Sequence, residues 1–288
     1  PTYFDLLDAF EETGDGTGVQ DAADRLDLLE EIATDRVGAD HAPDLLTLWE
    51  HVDAAVDAVR KIGPDPITLV GVVNQRWLTR PFVPFPLELD PAETAYYRDY
   101  QFQANSEAEA ADLMNLQGFE MVNGYSGSLL ATTLLEEAIE HVEAATDEAE
   151  SLARALSGDD AEEFERLAAR LRALNCVYTT IENAVEYQEI LDRTDYEQRP
   201  REDNIWPVEG DQRLREIQNV TRSEVDNSVE LAEIVESTDA PVLDLADSPE
   251  EEWIFQYGPD IVEQLEKKVA LTLDHQWDLH RLYERRQW

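Results

Sequence analysis

The stretch from Phe164 to Val185 reads FERLAARLRALNCVYTTIENAV. Its apolar residues Phe164, Leu167, Leu171, Leu174, Tyr178, Ile181 and Val185 step by three and four, the spacing of one helix face and of a coiled-coil seam. No basic residue occurs between Arg172 and Arg193. In a chain this acidic, such a segment is expected to be covered on more than one side. Glu182, Asn183 and Glu186 thereby become candidates for enclosed polar groups.

Three more stretches share this character. Residues 128–157 carry a stripe of Leu130, Leu134, Ala138, Ala145, Ala149 and Leu152, with His141 inside it and Glu137 one turn earlier. Residues 207–237 place Ile217, Thr221, Ser228, Ala232 and Val235 on one face, with Glu224 at its centre. Residues 249–285 align Ile254, Ile261, Leu265, Val269, Thr272 and Tyr283, with Gln276 within the stripe and Lys268 and His280 at its edges. Ser248-Pro249-Glu250-Glu251 carries Ser, Pro and Glu at the cap, first and third positions of a helix start. Short connections favour antiparallel neighbours. The expected fold is mainly α, a long-helix bundle of four-helix type over 128–288. Residues 1–127 form an N-terminal helical region against one side or end, either separate or continuous with it.

Inside that region, residues 63–91 differ from the rest. Ile67 to Val73 is β-branched and continuous and reads as one short strand. Four prolines between Pro81 and Pro91 forbid a regular helix after it. Gln75-Arg76-Trp77-Leu78-Thr79-Arg80 lies at the C-terminal end of the strand, where ligands often gather. Arg76 and Arg80 either pair with carboxylates and pin the loop or form a bidentate anion clamp. Both are expected to face inward. The break at Asn123-Gly124-Tyr125-Ser126-Gly127 supplies Asn123 and Tyr125 as further polar candidates.

The 288 residues carry 65 Asp and Glu against 22 Lys and Arg, a net charge of −43. That charge repels phosphate backbones and disfavours anionic membranes, so neither nucleic acid nor a membrane is an expected partner. No apolar run approaches the roughly 18 residues of a spanning helix. With 43% hydrophobic residues and 6 Trp, 10 Tyr and 8 Phe, the composition is that of a folded chain, not a disordered one. Lysine is confined to Lys61, Lys267 and Lys268. Acidity with so little lysine points to a cytoplasm full of salt, whose cations screen the self-repulsion. The acidic start, Pro1 to Asp5, does not read as a signal peptide. Pro1 marks either Met removal or a segment of a longer chain. The single cysteine, Cys176, excludes an internal disulfide and reads as a buried hydrophobe.

Each long helix thus sets a polar group into an apolar face, and three explanations compete. One is a structural network pairing Glu224 or Glu182 with Lys268 or a histidine. Another is a pocket in which Glu182, Glu186 and Glu224 serve as acid and base. Arg76, Trp77, Arg80, Asn123, Tyr125 and Asn183 would then hold a carbohydrate-like or other polar substrate. The third is a carboxylate–histidine metal site, whose Glu-x-x-His spacing this chain does not meet. No metal and no cofactor is assigned. A hydrolytic or ligand-binding domain is the leading expectation, a structural or interaction domain the alternative. Oligomeric state is open.

Overall fold

The computed structural model describes residues 22–62, 77–85, 88–99, 125–198, 210–248 and 256–284. Its helices are α1 (Ala22–Val37), α2 (Ala42–Ile62), α3 (Pro91–Asp99), α4 (Tyr125–Ala155), α5 (Asp159–Gln198), α6 (Gly210–Ser237), α7 (Ile261–Asp274) and α8 (Asp278–Glu284). The architecture is the all-α, long-helix bundle that the periodicity predicts. The predicted strand at 67–73 and the start signal at 249–251 lie outside the described residues.

Packing runs from neighbour to neighbour: α1 on α2, α2 on α4, α4 on α5, α5 on α6, and α6 on α7 and α8. Two reversals use glycine in the left-handed region, Gly38 (φ 82°) after α1 and Gly158 (φ 67°) before α5. That conformation costs glycine little because it has no Cβ.

α4 shows why these helices associate. Ala131, Leu135, Ala138, Val142, Ala145, Ala149 and Leu152 are all at most 1% exposed. Their steps of four and three are a strict heptad seam. Alanines at four of the seven positions let neighbouring backbones approach closely. The seam is offset from the predicted stripe at its start, where Leu130 is exposed.

α5, 40 residues and about 60 Å long, is the central helix. Leu171, Tyr178 and Ile181 join the larger core with α2, α4, Trp77 and Phe82. Ala173 and Cys176 join a smaller core with Leu78, Leu231, Ile234, Ile261 and Leu265. Residues two apart on a helix point to nearly opposite sides, so α5 is buried on two faces, as its missing basic residues imply.

Two expectations are corrected. The fourth long helix does not run through from 249 to 285. Leu245 and Tyr257 form a parallel β-bridge, and α7 begins only at Ile261. Gly258-Pro259 supplies the reason, since proline disfavours helical backbone at the residue before it. The helix then ends at Asp274, and a turn over 275–277 leaves Gln276 exposed instead of within an apolar stripe. The second correction concerns Asn123–Gly127: helix α4 already begins at Tyr125, so Ser126 and Gly127 belong to its first turn.

Candidate functional site

Glu224 lies on the α5-facing side of α6 and is 1% exposed. Its Oε1 accepts from Thr180 Oγ1 at 2.8 Å and its Oε2 from Asn183 Nδ2 at 2.8 Å, both from α5. Lys268 of α7, also 1% exposed, donates its ammonium to Glu224 Oε1. Lys268 was expected at the edge of its stripe. It is in the core because the packed side of α7 runs through Ile261, Leu265, Lys268 and Thr272, with Val269 only half-buried beside it.

The ammonium has two more acceptors, the carbonyls of Trp77 at 3.2 Å and Leu78 at 2.9 Å. Its three donors are therefore all used. Its Nζ also lies 5.7 Å from the centre of the Phe82 ring. Phe82 in turn packs against Tyr187, with ring centres 4.7 Å apart. Around the pair, Asn227 Nδ2 donates to Thr180 Oγ1 at 3.0 Å and to the Cys176 carbonyl at 2.9 Å. The Phe82 N–H donates to Thr272 Oγ1 at 3.0 Å, and Tyr96 OH donates to the Gln264 carbonyl at 2.9 Å. α7 thus grips the loop after the predicted strand through Lys268 and Thr272, while α6 and α5 hold the counter-charge.

Burial pushes the Lys268 ammonium below its ordinary pKa, and the Glu224 carboxylate offsets this only in part. Cys176, nearby on α5, has its thiol pushed up to about 12 by burial, with the Glu230 and Glu224 carboxylates adding to the rise. A thiol so held is a poor nucleophile.

The other candidates distribute as follows. Asn183 is in the network. Trp77, 2% exposed, belongs to it through its carbonyl. Arg80 is buried beside it, at 7% exposure. Glu182 is half-buried and Glu186 exposed. Glu182 is pushed up to about 7 by burial first, then by the neighbouring Glu136 and Glu186 carboxylates. Those neighbours belong to α4 and α5, and at 100° per residue Glu182 points well away from Thr180 and Asn183. The three glutamates expected to form one acid–base set are therefore not brought to one point. Arg76 and Asn123 lie outside the described residues, and Tyr125 is placed only as the first residue of α4.

Sequence reasoning missed Thr180 and Asn227 as bridging groups. Their signal was present, because Thr180 shares a face with Asn183, and Asn227 lies one turn after Glu224. A shallow surface groove between α5 and α6 is lined by Arg172, Asp226, Val229, Glu230 and Glu233. None of the predicted site residues lines it. Among the described residues, no cluster of three or more His, Cys, Asp or Glu is arranged to hold a metal. No described helix is long and apolar enough to cross a membrane. Comparisons with protein-family models, with curated proteins and with solved structures returned no match to this chain.

Proposed function

We propose that the chain is a salt-adapted helical structural or interaction domain of a high-salt cytoplasm. In this reading its buried polar groups fix which helix faces meet. The observation that carries it is the saturation of the Glu224–Lys268 pair by internal partners on α5, α7 and the 77–78 loop. A catalytic pair needs an open donor or acceptor to meet a substrate. A register-fixing pair needs the reverse, since a buried charge is tolerated only when fully bonded.

The test is a stability cycle in molar KCl. Lys268→Met leaves the Glu224 carboxylate buried without its counter-charge and should cost about 3–5 kcal/mol. Glu224→Gln should also destabilise. Glu224→Leu combined with Lys268→Met should recover part of the loss, because no charge is then buried alone, although Thr180, Asn183 and the 77–78 carbonyls lose these partners. Lys268→Met or Glu224→Gln alone proving more stable than the parent would overturn the reading, because a site strained for function gains stability when disarmed.

The hydrolytic or ligand-binding reading for a carbohydrate-like substrate retains one favourable observation, the Glu182 carboxyl raised to about 7. A raised carboxyl is suited to general-acid work near neutral pH. Binding of a soluble glycan that Glu182→Gln abolishes without altering the melting temperature would favour it over the first.

A further inference from the structure

We propose that His51 of α2 and His141 of α4 form a two-histidine binding site for a divalent transition metal: copper(II), nickel(II) or zinc. The two rings meet across the α2–α4 interface with Nδ1 3.0 Å from Nδ1. Their centres are 5.3 Å apart and their planes are inclined by 42°.

The fold brings them together for identifiable reasons. His51 lies three residues after Leu48 and four before Ala55, both 2% exposed, which sets it on the packed side of α2. His141 lies between Ala138 and Ala145 of the heptad seam, both fully buried. Those alanines leave room beside the seam for an imidazole from the neighbouring helix. Both histidines are half-buried, so an ion can reach them from solvent.

The separation suits chelation. Two nitrogens each about 2.0–2.1 Å from one metal stand about 2.9 Å apart at a right angle and about 3.3 Å apart at the tetrahedral angle. The observed 3.0 Å lies between these values. His275 is different in kind: both of its nitrogens are engaged by carboxylates, Asp278 and Glu93. Glu137, one turn before His141, is directed to Lys61 at 4.0 Å. No third His, Cys or carboxylate among the described residues joins the pair, so water would complete the coordination of a bound ion. A mixed nitrogen and oxygen set is the kind that copper(II) and nickel(II) accept.

Without metal, one ring donates its Nδ1–H to the other. To chelate, the donating ring moves that proton to its Nε2, and both Nδ1 lone pairs turn to the ion. Acidification opposes binding because an imidazolium has no lone pair to give. A bound ion would staple α2 to α4.

The experiment titrates the whole chain with copper(II) in a non-coordinating buffer and molar KCl, read by electron paramagnetic resonance. The expected result is one tightly held copper whose spectrum shows coupling to two imidazole nitrogens. His51→Ala and His141→Ala, each checked for helicity by circular dichroism, should lose one nitrogen and weaken binding about tenfold or more. His41→Ala should change neither. An arm free of variants uses zinc to protect histidines from diethyl pyrocarbonate, with protection expected at His51 and His141 and not at His41. An oxygen-only copper spectrum would overturn the proposal, since the 65 carboxylates alone then hold the ion. A two-nitrogen spectrum surviving in either alanine variant would overturn it as well, as would zinc protection that spares both histidines.

Discussion

His275 and Glu93 are 182 residues apart in the chain and 3.0 Å apart in the fold, Nε2 to Oε1. Glu93 belongs to a capping box at the start of α3. Asp90 Oδ1 accepts from the N–H groups of Ala92 and Glu93, and Glu93 Oε2 accepts from the Asp90 N–H. One glutamate therefore closes the α3 terminus and reaches the turn between α7 and α8. The other side of the ring faces Asp278 Oδ2 at 2.9 Å, and Asp278 also takes Arg281.

This arrangement predicts a pH dependence. Burial alone lowers the His275 pKa, but the bonds to Asp278 and Glu93 outweigh it, and the net direction is upward from 6.5. A group raised on folding contributes its full stability below its unfolded pKa and loses it as pH rises through the folded one. Asp278 moves the other way, held below 3.8 by His275 and Arg281 against the opposing effect of burial. Its contribution is present above 3.8 and lost on acidification. The clamp is thus fully engaged between about pH 4 and 6.5 and releases on the alkaline side. The side chains are 19–26% exposed, so the gain is at most about 1 kcal/mol. Melting temperatures of the parent should decline between pH 6.5 and 9, and His275→Gln should flatten that decline. Equal slopes in the two proteins would show that His275 does not carry it.

Core depth along α5 makes a second prediction. Ile181 is 1% exposed and Leu171 5%, whereas Leu174 is half-buried. Ile181→Ala and Leu171→Ala should each cost about 2–5 kcal/mol, and Leu174→Ala less. Arg170 is exposed and donates from Nε to the Pro241 carbonyl at 3.2 Å. Arg170→Ala should cost about 1 kcal/mol or less, the net worth of one such bond. Denaturant melts in molar KCl give the ranking, and equal losses for Ile181 and Arg170 would mean that the inward face is misassigned.

Periodicity reads a helix against its own axis, and that is where the sequence was most informative. It located α5 and its seam, three of the four long helices and the burial of Glu224, because each depends on residues three and four apart. It failed where a partner decides. Lys268 looked like an edge residue because the stripe was drawn through Val269, whereas the packed side of α7 runs through Lys268 and leaves Val269 half-buried. Glu182, Glu186 and Glu224 looked like one set because all lie on apolar helices. Glu182, however, points to a different side of α5 from Thr180 and Asn183, which hold Glu224, and Glu186 is exposed. His51 and His141 are 90 residues apart, and only the register of α2 on α4 brings them together.

The last prediction joins the charge to the thiol. A net charge of −43 opposes compaction, and the ion pairs on the surface do little against it. Arg36, for example, faces Asp160 and Glu163, both more than half exposed. Screening is the remaining remedy. The screening length is about 3 Å in molar salt and about 10 Å at 0.1 M, so dilution lets repulsion act across whole helix diameters. The α5–α6 interface should feel this early, because carboxylates line its rim at Asp226, Glu230 and Glu233. Cys176 reports on that interface. It is 2% exposed, and its thiol is pushed up to about 12. A thiol at that value holds almost no thiolate at pH 8, and thiolate is the reactive form. Iodoacetamide at pH 8 should therefore label Cys176 very slowly in molar KCl. As KCl falls below about 0.1 M, labelling should accelerate more than tenfold, alongside loss of helical circular dichroism, and returning the salt should slow it again. A labelling rate indifferent to salt would show that packing alone, without screening, keeps α5 and α6 closed.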